Sequence, residues 1–259
     1  MELWNFRGKQ NSITAALQLS IPDHAVISIT GSGGKTSLII AWAHELARSG
    51  KRTVITTTTH MAHPDQVKDD PRCPYDGVTV IYAPSDGSEP GIDIPAAIDR
   101  QLDCGNIVMA VSPDPERPAK VMSPPQAVMD HLYKTADVIL IEADGSRRMP
   151  LKWPAPWEPV VPGNTDITVC VAGLSSLGCR PCDVMYGYEY LPEAMRREAV
   201  DAPLISAVLV SLDGGQKGAQ GEYRAFINQA DNAELLKAAS DIQNILAVCG
   251  IQSAWGTLL

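Results

Sequence analysis

The sequence predicts an α/β fold of three layers, in which a mostly parallel sheet is flanked by helices. Strands and helices alternate along the chain, a glycine-rich segment beginning at Gly31 joins a strand to a helix, and another apolar strand ends near Glu142. The length of 259 residues suits one large domain. We interpret 1–259 as a single P-loop NTPase-like domain. The alternative is that 166–259 forms a C-terminal lobe or extends the sheet.

The first β-α-β unit carries the clearest pattern. The segment His24–Thr30 is short and rich in apolar, β-branched residues, which is typical of a strand covered on both faces. Apolar residues recur at helical spacing over Lys35–Ser49, and Gly50 fits the C′ position after that helix. The strand Arg52–Thr59 completes the unit, so the two strands should be parallel.

The later elements follow from the same periodicities. Strands are expected at Val78–Tyr82, Ile107–Val111, Asp137–Glu142, Ile167–Ala172, Arg224–Asn228 and, at an edge, Ser253–Leu259. Helices are expected at Ile94–Leu102, Gln126–Thr135, Glu193–Ala199 and Asn232–Val248. Leu204–Leu212 is an apolar stretch, and the proline-containing segments 64–74, 113–125 and 145–165 should be loops.

The composition excludes several classes of protein. Twenty Gly and 20 Pro are too few for a collagen-like or low-complexity chain. No apolar run reaches the roughly 18–20 residues that span a bilayer, and the N-terminus lacks a secretory signal pattern. The net charge of −9 disfavours non-specific nucleic-acid binding. We therefore expect a cytoplasmic protein with neither nucleic acid nor membrane among its partners.

The segment ITGSGGKTS, from Ile29 to Ser37, indicates a phosphate-binding loop. Glycines permit positive φ and close approach to a phosphate, and successive N–H groups with a helix start form an anion site. Lys35 supplies a charge for the outer phosphates, and the Thr36 hydroxyl can ligate Mg²⁺. We predict that the loop binds ATP or GTP with Mg²⁺ through Gly31, Ser32, Gly33, Gly34, Lys35, Thr36 and Ser37.

This loop departs from the common GxxxxGK[ST] pattern, because Ile29 stands where the first glycine belongs. The remaining GxxGKT form resembles the phosphate loop of Mur-type ligases and folylpolyglutamate synthases. The alternative is a glycine-rich turn followed by an incidental Lys-Thr pair.

Two carboxylates mark the end of the apolar strand 137–142. A P-loop enzyme needs a carboxylate at a neighbouring strand end to hold Mg²⁺ or its waters. Glu142 and Asp144 are two residues apart and point to one side if the strand continues. We predict Thr36 and Asp144 as Mg²⁺ ligands, and Glu142 as a second ligand or as the base that orients the attacking group. Lys35, Glu142 and Asp144 are thus the predicted catalytic residues. The alternative is a strand end that is acidic by chance.

Two polar segments extend the candidate site. Arg147, Arg148 and Lys152 form a basic cluster that suits a phosphate, a carboxylate or a pterin-type anion, or simply a solvated loop; we include Arg147 and Lys152 among the cofactor-binding residues. Asn228 and Asp231 stand where GTPases carry the guanine-binding Asn-Lys-x-Asp, with Gln in place of Lys. They predict a preference for GTP, or else a polar turn before the last helix.

Three other groups point less clearly to function. A hydroxyl of Thr56–Thr59 could reach Mg²⁺ or an acceptor, although threonine is common in strands. His60 and His63 have the spacing of a weak metal pair, and we favour hydrogen-bonded or solvated histidines. The Cys179-Arg-Pro-Cys182 segment has redox or metal spacing but no second pair, so we favour a structural role.

Several motifs in order resemble one family. ITGSGGKTS, TTTTHM, the block IEADGSRRMPLK that begins at Ile141, and Lys217-Gly218 followed by Phe226–Asp231 are similar to the YqeC-type accessory proteins of selenium-dependent molybdenum hydroxylases. The resemblance implies a P-loop NTPase-like fold and a role in maturing a molybdenum enzyme, with that hydroxylase or its cofactor as partner. One departure is Trp157, which replaces a histidine that precedes Glu-Pro-Val in the family.

Three functions remain open from the sequence. The first is a slow NTPase that serves as a maturation factor. The second is a Mur-ligase-like or kinase-like transferase that activates a small acid or cofactor precursor. The third is a non-catalytic binding module that uses the nucleotide to dock a partner.

Overall fold

The computed structural model describes residues 1–66, 75–84 and 93–258. The strands are β1 (Glu2–Asn5), β2 (Gly8–Gln10), β3 (Ala25–Gly31), β4 (Thr53–Thr57), β5 (Met61–Ala62), β6 (Val78–Tyr82), β7 (Ile107–Pro113), β8 (Lys120–Met122), β9 (Val138–Glu142), β10 (Leu151–Lys152), β11 (Ile167–Gly173), β12 (Met185–Tyr186), β13 (Glu222–Asn228) and β14 (Ser253–Thr257). The helices are α1 (Ile13–Ala16), α2 (Lys35–Arg48), α3 (Ile94–Asp103), α4 (Gln126–Thr135), α5 (Pro181–Val184), α6 (Ala202–Val210) and α7 (Ala233–Val248). Among the described helices, none combines the length and apolarity needed to cross a membrane.

Within these ranges the strands form one large sheet and one small parallel pair, β10 with β12. The large sheet has the order β2-β1-β14-β13-β11-β3-β9-β4-β7-β8-β5, with β6 also paired to β7. Strands β14 through β7, and β6, run parallel, whereas β1, β2, β8 and β5 add antiparallel pairs at the two ends. The predicted mostly parallel α/β fold is confirmed.

Helices cover both faces of this sheet because the central strands are apolar on both sides. Ile27 and Ile29 of β3 pack with Leu38 and Trp42 of α2 in one cluster. Val26, one residue away on β3, belongs to a cluster on the other face with residues of α3 and α4. Buried residues of β11 and β13 pack with α6 and α7 in a third cluster. The sheet is therefore the middle of three layers.

Two predicted elements are wrong, and two predicted loops contain short strands, β8 in 113–125 and β10 in 145–165. Most of the predicted loop 64–74 lies outside the described residues. The segment 193–199 forms only a 3₁₀ turn at Glu193–Met195. Its charged residues are largely exposed, so no apolar stripe packs to sustain a helix. Ser253–Thr257 forms a strand that is not at the edge, because the N-terminal hairpin β1–β2 pairs outside it. The apolar stretch 204–212 lies mostly in helix α6.

The candidate site lies at one edge of the sheet. The carboxyl ends of parallel strands meet there, and crevices at this edge are where open α/β sheets bind ligands. Gly31 ends β3, Glu142 ends β9 and Thr57 ends β4, and β9 lies between the other two. The fold thus brings the glycine loop and the acidic strand end together.

Candidate nucleotide site

The glycine loop has a backbone that only glycine adopts easily. Gly31, Gly33 and Gly34 have φ of 80°, 88° and 124°. A Cβ on Gly33 would lie 2.4 Å from the backbone nitrogen of Gly173, and one on Gly34 would lie 2.1 Å from Nδ2 of Asn228. Both the torsions and the packing therefore require glycine.

The loop opens directly into α2. The first helical hydrogen bond there runs from Leu38 N to Gly34 O at 2.9 Å. The N–H groups just before Leu38 therefore have no acceptor within the helix, and the positive end of the helix dipole adds to them. Half-buried Thr36 and Ser37 lie in this first turn. Such an array of N–H groups is able to bind a phosphate.

The ammonium of Lys35 turns back over the loop. It donates hydrogen bonds to Gly31 O at 2.9 Å and to Ser146 Oγ at 3.1 Å, and it lies 3.3 Å from Asp144 Oδ1. Lys35 is only 4% exposed. The predicted phosphate-binding lysine is therefore held against the loop by a carboxylate, a carbonyl and a hydroxyl.

Ser32 is turned into the protein. Its N–H donates to Val171 O at 2.8 Å, and its hydroxyl donates to Met149 O. The N–H of Gly31 donates to Asp144 Oδ2 at 3.1 Å. Gly31 and Ser32, both predicted from the sequence to bind the nucleotide, therefore use these groups to anchor the loop to neighbouring segments.

Glu142 faces the start of α2. Its Oε2 accepts a hydrogen bond from the Thr36 hydroxyl at 2.8 Å. Its backbone carbonyl accepts from Thr57 Oγ1 at 2.8 Å and from Thr58 N at 3.2 Å, which fixes the end of β9 against β4. Burial raises the pKa of the Glu142 carboxyl, opposed by the charge of Lys35 and the hydrogen bond from Thr36. The Glu142 carboxylate therefore places an oxygen able to ligate a metal ion beside the Thr36 hydroxyl.

Asp144 faces different partners. Besides Lys35 and the Gly31 N–H, its Oδ2 lies 3.4 Å from Nζ of Lys152. Asp144 is only 3% exposed, and no hydrogen bond or ion pair joins it to Thr36 in the described part of the chain. Because β9 ends at Glu142, strand alternation does not carry on to Asp144. The two carboxylates thus have separate environments.

The basic cluster divides in two. Lys152 is buried and pairs with Asp144 and, at 2.9 Å, with Glu158 Oε2. Its charge is therefore compensated inside the protein. Arg147 is exposed, and its guanidinium carbon lies 5.6 Å from the centre of the Tyr186 ring. Only the arginine part of the predicted cluster is at the surface.

The segment 228–231 reaches the glycine loop from the end of β13. Asn228 is buried and donates through Nδ2 to Gly33 O at 2.9 Å. Gln229 accepts at Oε1 from the hydroxyl of Ser175 at 2.7 Å. Asp231 is exposed, and its carboxylate accepts from Thr257 Oγ1 at 2.9 Å. The structure therefore places Asn228 at the loop and Asp231 at the surface beyond it.

The threonine run is used mainly for structure. Thr56 Oγ1 donates to Ala110 O at 2.8 Å, and Thr58 Oγ1 donates to Val160 O at 2.6 Å. In the described ranges no group of three or more His, Cys, Asp or Glu side chains is placed to hold a metal ion. His63 instead stacks on Tyr82 with ring centres 5.1 Å apart.

The remaining predicted side chains are explained by local pairs. His60 Nε2 lies 3.2 Å from Asp114 Oδ2. Cys179 and Cys182 are free thiols, with Cys182 exposed. Sequence reasoning missed Asp114, Ser146 and Glu158 as partners in or beside the site. Asp114 alone had a usable signal, because it follows directly on the end of β7 at the same sheet edge.

Comparison with known proteins identifies the family. The family model described as YqeC protein matches residues 27–186, the part that contains the glycine loop, both carboxylates and Lys152. The chain belongs to the YqeC family. The YqeC protein of Escherichia coli (strain K12) is 31% identical over 250 residues, covering 89% of this chain and 86% of that protein.

Two solved structures from Aquifex aeolicus show a distant likeness. The MinC:MinD cell division protein complex includes a chain with a TM-score of 0.44 and 12% identity, and the MinD cell division protein gives 0.42 and 15%. Each match covers 88% of this chain and 79% of the other.

Proposed function

We propose that this YqeC-family chain binds a magnesium–nucleoside triphosphate at the glycine loop and hydrolyses it slowly. The observation that carries the proposal is the 2.8 Å hydrogen bond between the Thr36 hydroxyl and Glu142 Oε2. It joins the start of the helix after the loop to the acidic end of the neighbouring strand. A phosphate loop and a carboxylate in this relation are the parts that phosphoryl transfer requires.

Thr36 and Glu142 fit Mg²⁺. Both offer oxygen, the donor that this ion prefers, and two adjacent ligands at about 2.1 Å from an octahedral ion lie about 3 Å apart. The observed 2.8 Å separation meets that requirement. Held by Thr36 and Glu142, Mg²⁺ would neutralise charge on the phosphate oxygens. We assign Glu142, rather than the Asp144 of the sequence prediction, as the acidic residue on the metal side.

Lys35 and Asp144 act together in this proposal. The main-chain N–H groups at the start of α2 bind the phosphates, and the Lys35 ammonium stabilises negative charge on the transferring group. Asp144 holds that ammonium at 3.3 Å and so positions it beside the loop. Asp144 is thus a positioning residue. Ser32 and Lys152 support the loop and Asp144, while Arg147 remains a surface group able to meet an anion.

We further propose that the base is guanine. Asn228 touches the loop, and the exposed carboxylate of Asp231 is available to accept from the N1–H and exocyclic amine of guanine, a donor pair that adenine lacks. The same segment also leads into α7, whose N-cap is Asn232. A comparison of GTP with ATP separates the two roles.

Family membership supports the biological side of the proposal. A YqeC-type protein is expected to act in the cytoplasm as an accessory factor that matures a selenium-dependent molybdenum hydroxylase. The nucleotide cycle would then drive a handover to that enzyme or its cofactor. Phosphate release that requires a small acid acceptor would instead favour the transferase alternative, and binding without turnover would favour a binding module.

The decisive experiment is a calorimetric titration of GTP and ATP, with and without Mg²⁺, on the wild type, Lys35→Ala and Thr36→Val. We expect Mg²⁺-dependent binding that weakens at least about tenfold in both variants, because each loses a charge-assisted or metal contact. Lys51→Ala removes a lysine that is paired with Asp23 away from the loop and serves as the control. Unchanged affinity in both loop variants would refute the site. Equal affinity for GTP and ATP would refute the base assignment.

A further inference from the structure

We propose that His60, oriented by Asp114, is the general base that takes the proton from the water attacking the γ-phosphate. This inference rests on the proposed nucleotide site and names a catalytic group for it. It is carried by the 3.2 Å contact between His60 Nε2 and Asp114 Oδ2 at the sheet edge that holds the glycine loop.

Asp114 is built to orient an imidazole. It is only 6% exposed. Its Oδ1 accepts hydrogen bonds from the backbone N–H groups of Glu116 at 2.9 Å and Arg117 at 3.2 Å. These bonds fix the carboxylate plane and leave Oδ2 to face His60. Apart from His60, the only charged group near Oδ2 in the described chain is Nε of Arg117, at 4.0 Å.

His60 is accessible where Asp114 is not. Its side chain is 40% exposed, against 5% for its carboxylate partner. Nε2 faces Asp114 Oδ2, a buried oxygen that accepts no hydrogen bond within the described chain, so a proton on Nε2 would be held there and Nδ1 would carry the lone pair. A buried carboxylate behind a half-exposed imidazole is the arrangement of a base and its orienting group.

The fold places this pair beside the candidate metal residues. Thr57 and Glu142 are register partners on β4 and β9, and His60 follows Thr57 by three residues. Asp114 directly follows β7, which pairs with β4 on its other side. The backbone carbonyl of Lys120 on β8 accepts from Asp114 N at 3.2 Å, and β8 pairs with the end of β7. His60, Asp114 and Glu142 therefore lie at the same edge of the sheet, past the ends of the neighbouring strands β4, β7 and β9.

The structure also leaves the role of base open. Glu142 is one candidate for that role from its place in the sequence, but its carboxylate is buried and accepts the hydrogen bond from the Thr36 hydroxyl. A general base must reach a proton on the incoming water, which requires an accessible lone pair. His60 offers one on the same edge.

The proposed step balances as a hydrolysis. The water oxygen forms a bond to the γ-phosphorus while the bond from that phosphorus to the β,γ-bridging oxygen breaks. The water proton passes to His60 Nδ1, and Asp114 stabilises the resulting imidazolium. Nucleoside diphosphate and inorganic phosphate leave, and the imidazolium returns its proton to solvent.

The test measures phosphate release from Mg-GTP and Mg-ATP by the full chain, together with nucleotide affinity and thermal unfolding. We expect His60→Gln to lower kcat about 100-fold or more, the size of general-base effects, with the nucleotide Kd within about twofold of wild type. Asp114→Asn should lower kcat in the same direction. His63→Gln, a nearby histidine stacked on Tyr82, is the matched control and should keep the wild-type rate.

Imidazole rescue separates catalysis from structure. In His60→Ala, added imidazole should restore part of the lost rate, and it should not accelerate His63→Ala. Wild-type turnover in His60→Gln would overturn the assignment while leaving the nucleotide site intact. A rate loss matched by an equal loss of nucleotide affinity would also overturn the assignment, since it would show that His60 has only a structural role. Failure of the wild type to bind nucleotide would refute the proposed function itself.

Discussion

Asp144→Asn distinguishes two roles for the same carboxylate. If Asp144 is a metal ligand, as the sequence suggests, its loss should leave the nucleotide-free protein nearly as stable as the wild type. If it is a buried counter-ion, as its contacts indicate, the nucleotide-free protein should lose stability. The substitution keeps the shape and leaves an oxygen for the N–H of Gly31.

The magnitude follows from the contacts. Lys35 and Lys152 lie 3.3 and 3.4 Å from the carboxylate oxygens of Asp144, and each lysine is 4% exposed. Removing one partner from a buried ion pair costs about 3–5 kcal/mol. Lys152 keeps Glu158 at 2.9 Å, and Lys35 keeps its bonds to Gly31 and Ser146. We therefore expect the lower end, about 3 kcal/mol.

The assay is urea and thermal unfolding without nucleotide or Mg²⁺. A loss of about 3 kcal/mol should lower the Tm by about 6–12 °C in a chain of this size. Asp183→Asn is the control, because it breaks an exposed pair with Arg180 and should leave stability unchanged. A Tm for Asp144→Asn within about 2 °C of wild type, which is under about 1 kcal/mol, would refute the counter-ion role. A raised Mg²⁺ requirement at unchanged stability would restore the ligand role.

Two further predictions concern the loop and its acidic neighbour. Burial raises the pKa of the Glu142 carboxyl, so the folded protein holds the carboxyl proton more tightly than the unfolded chain does. The contribution of this group to the free energy of unfolding therefore falls as pH rises from about 4.5 through the raised pKa. In Glu142→Gln the free energy of unfolding should not show that fall with pH, so the variant should be more stable than wild type at neutral pH, while its Mg²⁺-dependent nucleotide binding should be weaker. Equal slopes of unfolding free energy against pH in the two proteins would contradict this. Gly34→Ala should weaken nucleotide binding, because a side chain is strained at a φ of 124° and its Cβ, 2.1 Å from Asn228 Nδ2, would push that amide away from the loop. Gly50→Ala, at a φ of 85° with no atom near the new Cβ, should cost only about 1 kcal/mol and leave titrations unchanged; equal binding by both variants would contradict the packing argument.

The sequence predicts the fold well where the signals are local. The β-α-β unit around the glycine loop, with Gly50 after its helix, is as expected because a doubly buried strand and an amphipathic helix have distinct periods. The position of β14 was not predictable, since the partner outside it is the distant hairpin β1–β2. Helix formation at 193–199 failed for a similar reason, because propensity without a packed face is insufficient.

The roles of Glu142 and Asp144 could not be predicted from the sequence, because they depend on the residue at which β9 ends. Glu142 and Asp144 would share one side of a continuing strand, but β9 ends at Glu142 and the chain turns. Glu142 then meets Thr36, whereas Asp144 meets Lys35 behind the loop. His60 was recognisable as a histidine past a strand, but its partner Asp114 is over 50 positions away in the sequence. No sequence spacing reports such a contact.

The arrangement of buried charge explains why Lys152 is inside the protein. Lys35, Asp144, Lys152 and Glu158 alternate in sign along contacts of 3.3, 3.4 and 2.9 Å. A bound phosphate that draws the Lys35 ammonium toward itself weakens the pairing of Lys35 with Asp144. A buried carboxylate without a partner is strongly unfavourable. Lys152 keeps Asp144 compensated during that exchange, and Glu158 compensates Lys152 in turn. A lysine exposed to solvent at position 152 could bind an anion directly, but it could not stabilise Asp144 when Lys35 moves.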